Sequence, residues 1–152
     1  MTVEYRRNAA TAADVTAHLT ACDADFEPRL SSRVELAPYS QKLVAQAERF
    51  EAWAQGTLVG LVAAYCNDTT SKRAFVTSVS VTPGWGGRGI GAELMRKCIA
   101  HAASVGMLEI TLEVARANTL ARKLYQNLGF LTLTEKDPLS MFMTLGTEPR
   151  EQ

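Results

Sequence analysis

The chain has 152 residues, 47% of them hydrophobic and 21% charged, a size and balance that fit one folded domain and exclude a disordered polymer. Sixteen basic and sixteen acidic side chains cancel to a formal net charge of zero, without the basic excess that phosphate-driven nucleic-acid binding requires. The longest apolar run, Leu58 to Cys66, falls well short of the ~20 residues that span a bilayer.

The first residues, Met1 to Asn8, have no apolar signal core, so neither export nor anchoring is expected. Cys22, Cys66 and Cys98 are odd in number and widely spaced, which suits neither a disulfide framework nor a zinc site and points to a reducing cytoplasm. Each reads as a small core residue. With His18 and His101 as its two histidines, the chain is expected to carry no metal.

In chain order, Val3 and Tyr5 alternate with polar neighbours and predict a short strand. Thr11 and Asp14 resemble a capping box, and Ala12, Val15, Leu19 and Cys22 follow at helical spacing, so residues 11–22 read as an amphipathic helix. Residues 23–39, with Pro28 and Pro38, read as a long irregular connection, the kind of loop that often carries function. Leu43, Val44 and Ala47 predict a second helix face. Phe50 to Ala54 and Leu58 to Cys66 flank Gln55-Gly56-Thr57 and predict a hairpin. Residues 74–81 read as a third antiparallel strand, buried on both faces.

Pro83-Gly84 ends that strand. Beyond a glycine-rich stretch, Ile90, Leu94, Cys98, Ala102 and Val105 lie on one face of a helix stopped by Gly106. Leu108 to Val114 is a strand again, which makes a βαβ unit with parallel strands. Asn118 is a plausible N-cap for a helix carrying Leu120, Ala121, Leu124 and Leu128 and ended by Gly129. Two final strands, Phe130 to Thr134 and Leu139 to Leu145, meet at Lys136-Asp137-Pro138. Residues 1–147 read as a single domain and 148–152 as a short polar tail.

The densest chemical signal is Gly84-Trp85-Gly86-Gly87-Arg88-Gly89-Ile90-Gly91, between a strand end and a helix start. Glycines let backbone N–H groups approach one anion closely, and the helix terminus adds positive potential, so a phosphate or pyrophosphate is the natural guest. The stretch is neither a Walker A loop nor the dinucleotide pattern G-x-G-x-x-G. The second signal runs from Leu112-Glu113-Val114 through Asn118 to Leu124-Tyr125 and Gly129-Phe130.

Val81-Thr82-Pro83 through Gly91, followed by Asn118 through Phe130, resembles the GNAT family of N-acetyltransferases over essentially the whole chain. The Leu-Glu-Val...Asn...Leu-Tyr spacing also resembles the branch that acetylates the N-terminal alanine of a ribosomal protein. This resemblance implies an α/β fold with a mixed central sheet, splayed between strands 74–81 and 108–114, and helices on both faces. It implies acetyl transfer from acetyl-CoA, as cosubstrate, to a primary amine of a small molecule or amino sugar by direct attack in a ternary complex. A protein N-terminus or lysine as acceptor, and a non-catalytic acyl-CoA sensor, are the alternatives; a homodimer is left open, and neither nucleic acid nor membrane is expected as a partner.

The resemblance also implies residue roles. Val79, Ser80 and Val81 would hold the pantetheine arm by backbone bonds, and Gly86, Gly87, Arg88, Gly89, Ile90, Gly91 and Ala92 would cradle pyrophosphate. Asn118 would reach the pantetheine side or simply cap its helix. Glu113 would act as base and Tyr125 as the acid that protonates the leaving thiolate; their plainer readings are an edge carboxylate and a packed ring. No Cys or Ser is expected in an activated nucleophile setting. Phe26, Arg29, Arg33, Tyr39 and Asn67 are candidates for the acceptor side, the arginines for a carboxylate or phosphate. Gly86 stands where the family usually has Gln or Arg, which implies weaker cofactor affinity.

Overall fold

In a computed structural model, which describes residues 2–26 and 28–146, the chain forms seven strands and four helices. They are β1 (Glu4–Arg7), α1 (Ala12–Cys22), α2 (Leu36–Gln46), β2 (Glu48–Ala54), β3 (Thr57–Tyr65), β4 (Arg73–Val81), α3 (Ile90–Ser104), β5 (Glu109–Val114), α4 (Thr119–Leu128), β6 (Leu131–Thr134) and β7 (Leu139–Thr144). The sheet order is β1-β2-β3-β4-β5-β7-β6, and β4 with β5 is its parallel pair. The expected tail, residues 148–152, lies outside the described residues.

Local chemistry sets the element boundaries. The Thr11 hydroxyl accepts from Asp14 N while the Asp14 carboxylate accepts from Thr11 N, closing the capping box that starts α1. Gln55 and Gly56, at φ 51° and 76°, turn the β2–β3 hairpin in the left-handed conformation that matches strand twist. Gly129, at φ 107°, ends α4.

Each sheet face is covered. Val15 and Leu19 of α1 and Leu43 of α2 pack with Trp53, Leu61 and Ala63 on one side. On the other, Ile90, Leu94, Met95 and Cys98 of α3 pack with Phe50, Ala52, Val62, Ile110 and Leu112, and Tyr125 of α4 joins them. Gly60 allows the tight seat of α3, because a Cβ there would lie 2.8 Å from Ile90 Cγ2.

Three expectations change. The second helix begins at Leu36, inside the stretch read as irregular, because Pro38 falls in its first turn, where N–H groups have no helical partner to lose. Two short 3₁₀ turns, Asp23–Asp25 and Leu30–Ser32, shape the rest of that connection. Val105 follows the last turn of α3 and is 47% exposed, so it contributes little to the core. Strand β4 is not buried on both faces along its length. Ala74, Val76, Ser78 and Ser80 are buried, whereas Phe75, Thr77, Val79 and Val81 are half-buried.

Beneath α1 and α2, the fully buried Glu51 carboxylate gathers Ala9 N, Ala10 N, Trp53 Nε1 and the Arg49 guanidinium. Arg49 in turn donates to the carbonyls of Val44 and Ala10. The pair thus joins the entry of α1, the end of α2 and strand β2. Glu51→Ala leaves a buried guanidinium and three N–H groups without their anion and should cost about 3–5 kcal/mol in urea unfolding. Glu4→Ala, which removes the exposed pair with Arg6, should leave the transition where it is.

Candidate active site

The parallel ladder between β4 and β5 runs from Arg73 opposite Glu109 to Val76 opposite Leu112 and stops there. Opposite β3, Ala63 pairs with Ser78 but Ala64 pairs with Val76, so Thr77 is an extra residue in β4. Such a bulge bends its strand and reverses the facing of the residues beyond it. Val76 accordingly packs with α3, whereas Ser78 turns to the α1 side. From Thr77 onward the edge of β4 toward β5 has no ladder partner among the described residues. A cleft of about 710 Å³ opens between the two strands.

The cleft unites residues far apart in the chain. Val79, Ser80 and Val81 of β4, Glu113 of β5, Asn118, and Tyr125 of α4 all line it, as do Phe26, Arg33 and Tyr39 from the connection and α2. Arg29 and Asn67 are not among its lining residues, nor is the segment Gly86 to Ala92. Asp25, Phe75, Thr77, Ser78 and Asp137 line it too.

Tyr125 is 5% exposed and meets Phe130 edge-on at 6.0 Å. Burial pushes its phenol up to about 12, so it stays protonated. Glu113 is exposed, with its neighbours Leu112 and Val114 turned into the α3-side core, so it lies on the α1 and α2 side. Tyr39 reaches over from α2 and its hydroxyl donates to the carbonyl of Thr77 at 3.3 Å, at the bulge itself. The Asn118 side-chain oxygen accepts from Ala121 N at 3.1 Å and caps α4, which leaves its NH₂ group to donate elsewhere.

Past β4 the chain enters the glycine loop. Trp85 N donates to Thr82 O, and the helical pattern resumes with Glu93 N to Gly89 O. Between them, the N–H groups of Gly86 to Ala92 have no backbone acceptor among the described residues, the last three because they open α3. Gly84, Gly87 and Gly89 have φ of 92°, 76° and 76°, a conformation that side chains resist; Gly86 does not. Arg88 stacks on Trp85 at 4.6 Å, and Trp85 packs on the core.

The family description "Acetyltransferase (GNAT) family" matches residues 13–130. The chain belongs to the GNAT acetyltransferase family. It is 30% identical over 117 residues to a thialysine N-epsilon-acetyltransferase of Mus musculus, a span of 75% of this chain and 69% of that protein. The fold matches a ribosomal-protein-S18-alanine N-acetyltransferase of Escherichia coli with a TM-score of 0.76 at 15% identity, over 99% of each chain. It also matches the PaiA N-acetyltransferase of Thermoplasma acidophilum, solved with coenzyme A, at 0.75 and 16% identity, over 95% of this chain and 99% of that one. The protein is thus an acyl-CoA-dependent N-acetyltransferase.

Sequence reading missed one cluster in this acetyltransferase. His18 on α1 is 2% exposed and places Nε2 2.8 Å from Ser80 Oγ and Nδ1 3.1 Å from the Leu58 carbonyl. Cys22, one turn later, puts Sγ 3.7 Å from Nε2. A thiol and a hydroxyl therefore do sit beside an imidazole, a grouping that the sequence did not single out. The chemistry is nonetheless unsuited to a nucleophile, since burial pushes the Cys22 thiol up to about 11 and the His18 imidazole down to about 4. The available signal was spacing: Val15, His18, Leu19 and Cys22 share the buried stripe of α1.

Burying His18 uncharged makes stability depend on pH. The imidazole titrates near 6.5 when unfolded and near 4 when folded, so between these values the unfolded chain binds more protons. Its contribution is complete above pH 6.5 and lost as pH falls toward about 4, a span worth about 3 kcal/mol. Urea unfolding from pH 7 to 4 should show this decline, and His18→Gln should flatten it.

Proposed function

We propose that the enzyme transfers acetyl from acetyl-CoA directly to the primary amine of a small molecule held on the α1 and α2 side of the cleft. The observation that carries this reading is the convergence of an unpaired strand edge, Glu113 and Tyr125 on one cleft. The residues present suit the donor. The free N–H groups from Gly86 to Ala92, at the start of α3, are fitted to pyrophosphate. The open edge of β4 from Thr77 to Val81 offers strand-like bonds to an amide-bearing arm, and Asn118 can add a donor from the other wall.

When bound, acetyl-CoA supplies the activated thioester. Glu113 takes the proton from the amine, directly or through water, so that a neutral nitrogen reaches the acyl carbon. Tyr125 donates a hydrogen bond, and then its proton, to the departing sulfur; burial keeps the phenol protonated and equally raises the proton affinity of a thiolate forming beside it. Cys22 stays a thiol, which favours direct transfer in a ternary complex over an acyl-cysteine. Phe26 and Arg33 from the connection, with Tyr39 of α2, narrow the acceptor side, which favours a small amine over a polypeptide N-terminus or lysine. Arg29 and Asn67, outside the lining, are dropped from the acceptor set. Retained acid and base candidates in one cleft disfavour a non-catalytic sensor.

The three cysteines are free, which supports a cytoplasmic setting, and no helix among the described residues is long and apolar enough to cross a membrane. Thiol release from acetyl-CoA across a panel of small amines and N-terminal peptides tests the acceptor class. Turnover confined to peptides would sink the small-amine reading. Tyr125→Phe should lower kcat at least ~10²-fold while the affinity for CoA stays within about twofold. Equal turnover would remove Tyr125 from the acid role. Gly86 is outside the left-handed region and a Cβ there meets nothing within 4 Å, so Gly86→Arg should fold and lower the KM for acetyl-CoA. An unchanged or higher KM would count against the cradle.

A further inference from the structure

The polar cluster behind β4 has a fixed hydrogen-bond direction. The Leu58 carbonyl can only accept, so His18 Nδ1, 3.1 Å away, carries the ring proton. Thr82 Oγ1, 3.2 Å from the same nitrogen, provides a second acceptor. In a neutral ring Nε2 is then a bare lone pair, and Ser80 Oγ, 2.8 Å from it, must donate. Burial holds the ring in this neutral form at physiological pH. The Cys22 thiol at 3.7 Å is a longer and weaker donor and does not displace Ser80.

Ser80 has therefore given its one hydroxyl proton inward, yet it lines the cleft. Toward the cleft its oxygen can only accept. Ser78, on the same face two residues earlier, has no such commitment, for its buried hydroxyl is without a partner among the described residues. Ser80 stands just before Val81, where β4 passes into the glycine loop, so it borders the stretch between the proposed phosphate cradle and the bulge at Thr77. The part of acetyl-CoA that spans such a stretch is its pantetheine arm, whose amide N–H groups are donors.

We propose that His18 is a positioning residue, which aims the Ser80 hydroxyl so that its oxygen accepts an amide N–H from the arm of acetyl-CoA. This rests on the reading that acetyl-CoA occupies the cleft. The test measures CoA affinity by calorimetry together with KM and kcat for acetyl-CoA. Ser80→Ala should weaken CoA and raise the KM for acetyl-CoA by about fivefold, the equivalent of one net hydrogen bond, with a much smaller change in kcat. His18→Gln, whose amide oxygen can still accept from Ser80, should stay close to the parent. His18→Leu should match Ser80→Ala, and the double variant should be no worse than either.

Additive losses, or a penalty that falls on kcat or on the KM of the acceptor, would overturn the proposal. So would equal CoA binding by Ser80→Ala and the parent. If the parent itself fails to bind CoA, the cleft reading falls and this one with it, an outcome separable from the preceding one. Should His18→Leu not fold, the ¹⁵N spectrum of the parent imidazole decides: an Nδ1-protonated ring whose Nε2 resonance moves on adding CoA is expected, and an Nε2-protonated ring refutes the proposal.

Discussion

The site depends on a ladder that stops early. If β4 and β5 paired beyond Val76 and Leu112, the sheet would be continuous and there would be no cleft. Two structural facts hold them apart. On the β3 side the pairing of β4 resumes after the bulge and continues to Val81, so its course is set by that neighbour. The extra residue at Thr77 then reorients the strand, because a one-residue shift exchanges the two faces. After the bulge Ser78 and Ser80 look toward α1 and Val79 and Val81 toward α3. One strand thereby presents hydroxyls to one side of the cleft, apolar side chains to the other, and a free backbone edge between.

The helices over that strand are secured at both ends of their packing. Away from the cleft, Glu51 and Arg49 tie the entry of α1 and the end of α2 to β2. Facing the cleft, Tyr39 of α2 touches the carbonyl of Thr77, and His18 of α1 bonds Ser80. A buried ion pair of this kind adds little net stability compared with a packed apolar pair, but losing one partner is costly. Its consequence here is placement: α1 and α2 have one seat on the sheet, and the residues they carry into the cleft inherit that seat.

What could be read from the chain was what short-range chemistry dictates. The capping box of α1, the Asn118 cap, the turn at Gln55-Gly56 and the glycine loop each depend on residues within a few positions, and all were legible. Tyr125 and Glu113 could be paired because they sit in recognised motifs, and both line the cleft. The bulge at Thr77 was invisible, since it is defined by its pairing with Ala63 and Ala64 rather than by its own sequence. His18 stayed hidden for the same reason: its partners, Leu58 and Ser80, lie 40 and 62 residues away. Of the acceptor-side candidates, Phe26, Arg33 and Tyr39 reach the cleft but Arg29 and Asn67 do not; within the connection the path is shaped by two 3₁₀ turns that spacing could not foretell, and Asn67 lies just past the end of β3.

Zero net charge is compatible with a polyanionic substrate because the donors are local. Backbone N–H groups at a helix start contribute a fixed field without adding formal charge, and they need no side-chain ordering to do so. The same economy governs the reacting end. Tyr125 has no cation among the causes of its shift; desolvation alone raises it. A phenol whose shift comes from burial rather than from an ion pair holds its proton with little dependence on salt, and the same low dielectric makes it responsive to any charge brought beside it. The rest of the cleft wall differs, for it carries the formal charges of Asp25, Arg33, Glu113 and Asp137, and a charged ligand would meet them there.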